Sequence, residues 1–180
     1  MRNKKAVIFD GDGTLWRPIG QDKTVRPDSI YKGVRVEKGS HLNLELVAGV
    51  SDMLRNLKAR GYRLYIVSAH PTPGLEALAE LESKVVSLGI KDLIDAYFCS
   101  DGSDRDGKAA IIRTIVTDYE LDASEVYMIG DSYYYDYEAG LKADVNSFFI
   151  RNGYCKQPSP LPAGTRVVEE ITDLIGELEG

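Results

Sequence analysis

The chain has 180 residues, 43% of them hydrophobic and 28% charged, which is about one globular domain and neither a disordered nor a fibrous composition. A domain of that length buries roughly 70% of the surface its unfolded chain exposes, so it folds without staples. Lys and Arg number 22 against 28 Asp and Glu, and the net charge of −6 argues against nucleic acid or an anionic membrane face as a partner.

The opening residues Met1 to Lys5 are basic, but only Ala6–Phe9 follow before Asp10, too short for the core of a signal peptide. No apolar run approaches the ~18 residues of a membrane span. The expected location is the cytoplasm. Two cysteines, Cys99 and Cys155, make no disulfide framework and match no metal spacing; they read as small thiols in a reducing compartment.

Short apolar runs alternate with longer segments of helical period, the pattern of βαβ units around a parallel sheet. Ala6–Phe9 is the first buried strand and ends in the acidic, Gly-rich stretch Asp10–Thr14. Residues 15–49 hold no helix. They carry two alternating segments, YKGVRVE and HLNLEL, separated by Lys38–Ser40, which predict a β-hairpin flap inserted after the first strand. Residues 50–60 place Val50, Met53, Leu54 and Leu57 on one helix face and stop at Gly61. Tyr62–Val67 reads as a strand giving way at Ser68. Pro71 and Pro73 then open a helix carrying Leu75, Leu78, Leu81, Val85 and Leu88. A strand at Ile94–Phe98, a helix at Lys108–Tyr119 and a strand at Val126–Ile129 follow, then a helix from about Tyr135 to Ala143 and a strand at Val145–Ile150. A Pro-rich loop and a final helix from about Val168 close the chain, which is expected to be one domain over residues 1–180.

In open α/β sheets the site lies at the carboxyl ends of the strands. Asp10 and Asp12 follow the first strand, Ser68 the second, and Asp131 the Val126–Ile129 strand, with Asp136 a turn further on; Lys108 opens a helix on the same edge. Crowded carboxylates repel one another, so this edge implies a bound cation, and oxygen ligands select a hard one such as Mg²⁺. Two other motifs compete for these residues. Asp10–Gln21 is a poor calcium loop, because Leu15 stands where a Gly is required and Gln21 where the terminal Glu belongs. Gly102–Ala109, GSDRDGKA, matches a phosphate-binding P-loop, but Ala109 replaces the magnesium-holding hydroxyl, and Asp104 and Asp106 put negative charge where phosphates would sit.

The series DGDGT after an apolar strand, a strand ending in Ser, a Lys, then GDSYYYD resembles the haloacid dehalogenase (HAD) superfamily of phosphatases and phosphotransferases over residues 5–150. The resemblance implies a three-layer, Rossmann-like core with a central parallel sheet and, given the short flap, no large cap. It also implies a Mg²⁺-dependent phosphomonoester hydrolase working through an aspartyl-phosphate. Asp10 would be the nucleophile, and Asp12 the acid that protonates the leaving group and then activates water. Asp10, the Asp12 carbonyl, Asp131 and Asp136 would hold the metal. Thr14, Ser68 and Lys108 would bind phosphate.

Trp16, His70 and Tyr133 are candidate substrate contacts near this edge; for His70 and the tyrosines of the GDSYYYD motif a loop or core role competes. The DGDGTLW start and the flap are similar to the magnesium-dependent phosphatase branch and to glyceryl-loading domains of polyketide synthases, although the SAH and GDS sequences depart from that branch. Expected partners are a phosphorylated small molecule or a phosphoprotein, with a homodimer left to test. The alternatives are a phosphoryl- or acyl-group transferase on the same scaffold and a receiver-like phospho-acceptor module. A receiver has no need of Asp12 as an acid.

Overall fold

Ala6–Phe9 (β1) is apolar at every position and fully buried, the mark of a strand covered on both faces. The computed structural model describes residues 5–22, 24, 40–70, 74–152 and 154–178. In chain order these form β1, Trp16–Pro18 (β2), Leu44–Leu46 (β3), Val50–Ala59 (α1), Arg63–His70 (β4), Leu75–Ser87 (α2), Ala96–Asp101 (β5) and Gly107–Asp118 (α3). Then come Val126–Gly130 (β6), a π-helical turn at Tyr133–Tyr137, Glu138–Lys142 (α4), Asn146–Ile150 (β7), Val167–Val168 (β8) and Leu174–Glu177 (α5).

Six strands make one sheet in the order β5-β4-β1-β6-β7-β8, and every pair in it is parallel. Alternation along β1 sends Val7 and Phe9 into one apolar layer, with Leu54 and Leu57 of α1, Leu81 and Val85 of α2 and Leu174 of α5. Ala6 and Ile8 face the other layer, with Ile112 and Ile115 of α3 and Ala139 of α4. The fold is therefore a three-layer, Rossmann-like α/β sandwich, as expected. Among the described residues no large cap interrupts it.

From β1 the chain crosses to β4 and β5 on one side and then returns past β1 to β6, β7 and β8 on the other. The reversal puts the switch point at the carboxyl end of β1. Register does the rest. Phe9 stands opposite Ile66 of β4 and Ile129 of β6, so Ser68 and Asp131 each lie two residues beyond those partners, level with the loop that follows Phe9.

Several elements differ from the sequence pattern. β4 runs on through Ser68 to His70, because parallel pairing with β5 carries it three residues past Val67. β5 begins and ends later than its apolar run, at Asp101. The expected terminal helix is replaced at Val167–Val168 by the edge strand β8, paired with Phe149 and Ile150, and helix resumes only after a 3₁₀ turn at Ile171–Asp173. Two residues are too few to show a strand period. In the flap, Leu44–Leu46 pairs antiparallel with Trp16–Pro18, while Ser40–Asn43 is a 3₁₀ turn rather than strand. The YKGVRVE arm, Lys38 and Gly39 of the expected turn, and Pro71 and Pro73 lie outside the described residues.

Candidate active site

The loop after β1 turns tightly because the Gly11 carbonyl accepts from both Thr14 N and Leu15 N. Its two aspartates point to different neighbourhoods. Asp10 turns to Lys108, the second residue of α3, whose Nζ lies 2.5 Å from Asp10 Oδ1 and 2.6 Å from Asp136 Oδ1. The lysine of the P-loop-like sequence thus belongs to the carboxylate cluster. Asp136 comes from the π-helical turn, where the Ser132 carbonyl accepts from both Asp136 N and Tyr137 N. That widened turn brings Asp136 back over the strand end, and Ser132 N donates to its Oδ2 at 2.9 Å. Gly130 is required beneath it, since a Cβ there would stand 2.3 Å from Asp136 Cγ.

Asp10, Asp131 and Asp136 offer carboxylate oxygens within 4.8 Å of one another, all buried, the one such group among the described residues. Burial raises the Asp10 carboxyl to about 7, against the pull of the Lys108 ammonium and with the help of the Asp136 charge. Asp131 is raised well above the usual carboxylate range by burial and by Asp10 and Asp136. Burial disfavours the Lys108 ammonium, but its two carboxylate partners more than offset this and hold it above the ordinary lysine value. Three buried carboxylates thus face one ammonium, a site short of positive charge, and the all-oxygen donor set fits a small hard cation. Thr14 is buried in the same loop as Asp10, and its Oγ1 is an orphaned polar atom with no hydrogen-bond partner.

A second set of groups holds Asp131, and no motif announced it. Tyr154, in the loop after β7, donates its hydroxyl to Asp131 Oδ2. Asn152 donates its side-chain amide to the Asp131 carbonyl at 2.9 Å, and its Oδ1 accepts from Tyr154 N and Cys155 N. Gly13, with φ +89°, closes over this pair; a Cβ there would meet Asp131 Oδ2 at 2.2 Å and Tyr154 Oη at 2.7 Å. Gly13 and Tyr154 also line a cavity of about 320 Å³ together with Arg17, Asn152 and an Arg151–Glu169 ion pair.

Asp12 points elsewhere. Its Oδ1 accepts from Trp16 Nε1 at 2.8 Å, and Lys84 Nζ reaches Oδ1 at 3.2 Å and Oδ2 at 3.1 Å. Lys84 comes from α2 and was not among the residues singled out from sequence, although its spacing from Leu81 and Leu88 puts it on the apolar face of that helix.

The other candidates fall as follows. Ser68 is buried at the level of the β1 loop. Trp16 is fully buried, so its ring offers no face to a substrate, and its indole N–H is spent on Asp12. His70 is 8% exposed, with Nε2 3.1 Å from Glu80 Oε2. Tyr133 packs with Tyr137 and Phe149 in a satellite core and is 4% exposed, a core placement rather than the rim one expected of a substrate contact. Burial pushes the Cys99 thiol up to about 11, so it is not a nucleophile near neutrality.

The family model for haloacid dehalogenase-like hydrolases matches residues 20–150. The chain belongs to this family. The match begins after the Asp10–Thr14 loop, which the fold nevertheless sets at the centre of the site. Solved structures of the same fold include an uncharacterized protein from Listeria monocytogenes serotype 4b, 20% identical, with a TM-score of 0.71 over 97% of this chain and 98% of that one. A D,D-heptose 1,7-bisphosphate phosphatase from B. bronchiseptica, complexed with magnesium and phosphate, has the same identity, TM-score and coverage. A HAD phosphatase from Thermococcus onnurineus is 17% identical, with a TM-score of 0.69 over 98% of each chain. No curated protein matches the chain. Among the described residues no helix is long and apolar enough to cross a membrane.

Proposed function

We propose that this HAD-family hydrolase is a Mg²⁺-dependent phosphomonoesterase that works through a phosphorylated Asp10. The observation that carries the reading is the pair of aspartates two residues apart with opposite surroundings: Asp10 in a cation-poor carboxylate cluster, Asp12 outside it in contact with Lys84 and Trp16. Asp10, Asp131 and Asp136, with the Asp12 carbonyl, would hold Mg²⁺, which supplies positive charge to the phosphoryl oxygens and lets a carboxylate approach an anion.

The chain's own groups supply the rest. An Asp10 oxygen attacks phosphorus; the P–O bond to the alcohol breaks as the new one forms, and Asp12 gives its proton to the departing oxygen. In the second half Asp12 takes a proton from water, whose oxygen attacks phosphorus and releases phosphate and the Asp10 carboxylate. Lys108, already against Asp10, balances charge on the transferring group, and the Ser68 and Thr14 hydroxyls bind its oxygens. The substrate is a phosphorylated small molecule or a phosphoprotein.

Hydrolysis of an aryl phosphate with Mg²⁺, with EDTA and in Asp10→Asn tests the reading. Turnover that needs Mg²⁺ and is lost in Asp10→Asn supports it. No turnover in a folded, metal-binding protein overturns it and directs attention to a transferase or a phospho-acceptor.

A further inference from the structure

Lysine is almost never fully buried unless it is paired. Lys84 is 2% exposed in the last turn of α2, and its ammonium spans both oxygens of Asp12. On its own helix it meets Glu80 Oε1 at 3.5 Å, and the other Glu80 oxygen lies 3.1 Å from His70, two residues past Ser68 on β4. Trp16 Nε1 also donates to Asp12 Oδ1. The Asp12 carboxyl is therefore held by donors from two elements, β2 and α2, while Glu80 ties Lys84 to His70 at the end of β4.

We propose that Lys84, acting with Trp16, is a positioning residue that sets the Asp12 carboxyl in the plane needed for proton transfer to the leaving oxygen. The inference rests on the acid role given to Asp12 above. A purely structural ion pair is a weak explanation for this burial, because such pairs are often replaced by apolar side chains with little loss of stability. Placement is worth more: a shift of about 1 Å in a catalytic group can cost ~10²-fold in rate. Nothing in the Asp10–Thr14, Ser68, Lys108 or Asp131–Asp136 sequences points to α2, so Lys84 is an addition to that set.

The leaving-group dependence of kcat/KM reads this role directly. That parameter reports the first half-reaction, in which Asp12 acts as acid, and a poor leaving group needs the proton more than a good one. A series of phosphate monoesters from 4-nitrophenyl through phenyl to 4-methylphenyl varies the leaving group at nearly constant size. Asp12→Asn, the reference, should lose about 10²-fold or more on the phenyl ester and far less on the nitrophenyl ester. Lys84→Met should steepen the same dependence, raising the nitrophenyl-to-phenyl ratio about tenfold, and Lys84→Arg should restore most of it. Thermal melts establish that each variant is folded. Should Lys84→Met not fold, Trp16→Phe removes the other donor and should show the same selective loss. Equal losses on all esters from Lys84→Met, or no loss, overturn the proposal while leaving the acid role intact. An Asp12→Asn protein with no leaving-group selectivity overturns both.

Discussion

Asp10 and Asp12 are separated by one residue, yet the two halves of the site they head are balanced in opposite ways. On the Asp10 side, three buried carboxylates share a single ammonium, and burial drives Asp10 and Asp131 toward the protonated form. On the Asp12 side, the protein supplies its own donors, Lys84 and Trp16, to both oxygens of the carboxyl. The first half is left short of positive charge, and the second has its charge met by the chain's own donors. A cluster left short of charge marks a ligand site; a satisfied one marks a positioned group.

The largest expected effect is that of removing the Asp10 carboxylate, the nucleophile in the proposed reaction. Asp10→Asn should lower aryl phosphate turnover by at least about 10³-fold while leaving the fold intact, measured as steady-state rate against a thermal melt. Asp12→Asn should cost about 10²–10⁴-fold on esters with poor leaving groups, measured as kcat/KM, because only the proton transfer is lost.

A smaller effect is expected from the support behind Asp131. Tyr154→Phe removes the hydroxyl that donates to Asp131 Oδ2 and should weaken Mg²⁺ about 10–100-fold by calorimetric titration, with the same change in the Mg²⁺ concentration needed for activity. An unchanged affinity would make Tyr154 a packing residue only.

The smallest effect is on stability, and its sign follows from Asp10. Its carboxyl sits at about 7 in the folded, metal-free protein against 3.8 for the ordinary value, so folding takes up a proton there. That contribution to stability is complete below the ordinary value and is lost as pH rises through about 7. Bound Mg²⁺ replaces the missing charge, so its increment in Tm should be larger at pH 8 than at pH 5. An increment that shrinks with rising pH would contradict the charge-deficit picture.

Legibility in the sequence followed the same division. The carboxylate half could be read because its members sit at strand ends and helix starts, where short motifs follow an apolar strand: Asp10, Lys108, Asp131 and Asp136 all meet in the fold. Its support could not, because Tyr154 and Asn152 lie in an irregular loop with no period. The Asp12 half hid in plain view. Lys84 occupies an apolar-face position of α2, where a lysine gives no sign of a buried partner, and Trp16, a candidate substrate contact by its place after the loop, is fully buried instead. The sheet was legible wherever strands were long and apolar. It was not at β8, two residues paired on an edge, or at the Tyr133–Tyr137 turn, where one extra residue per turn disturbs the helical spacing.

The division between the two halves is tested most directly by Mg²⁺ titration calorimetry on the wild-type chain, Asp131→Asn and Asp12→Asn side by side. The account predicts binding to the wild-type protein, its loss in Asp131→Asn, and near-native affinity in Asp12→Asn, whose side chain faces Lys84 and Trp16 instead of the cluster. A wild-type protein that binds no Mg²⁺, or an Asp12→Asn protein that loses it as fully as Asp131→Asn, would contradict it.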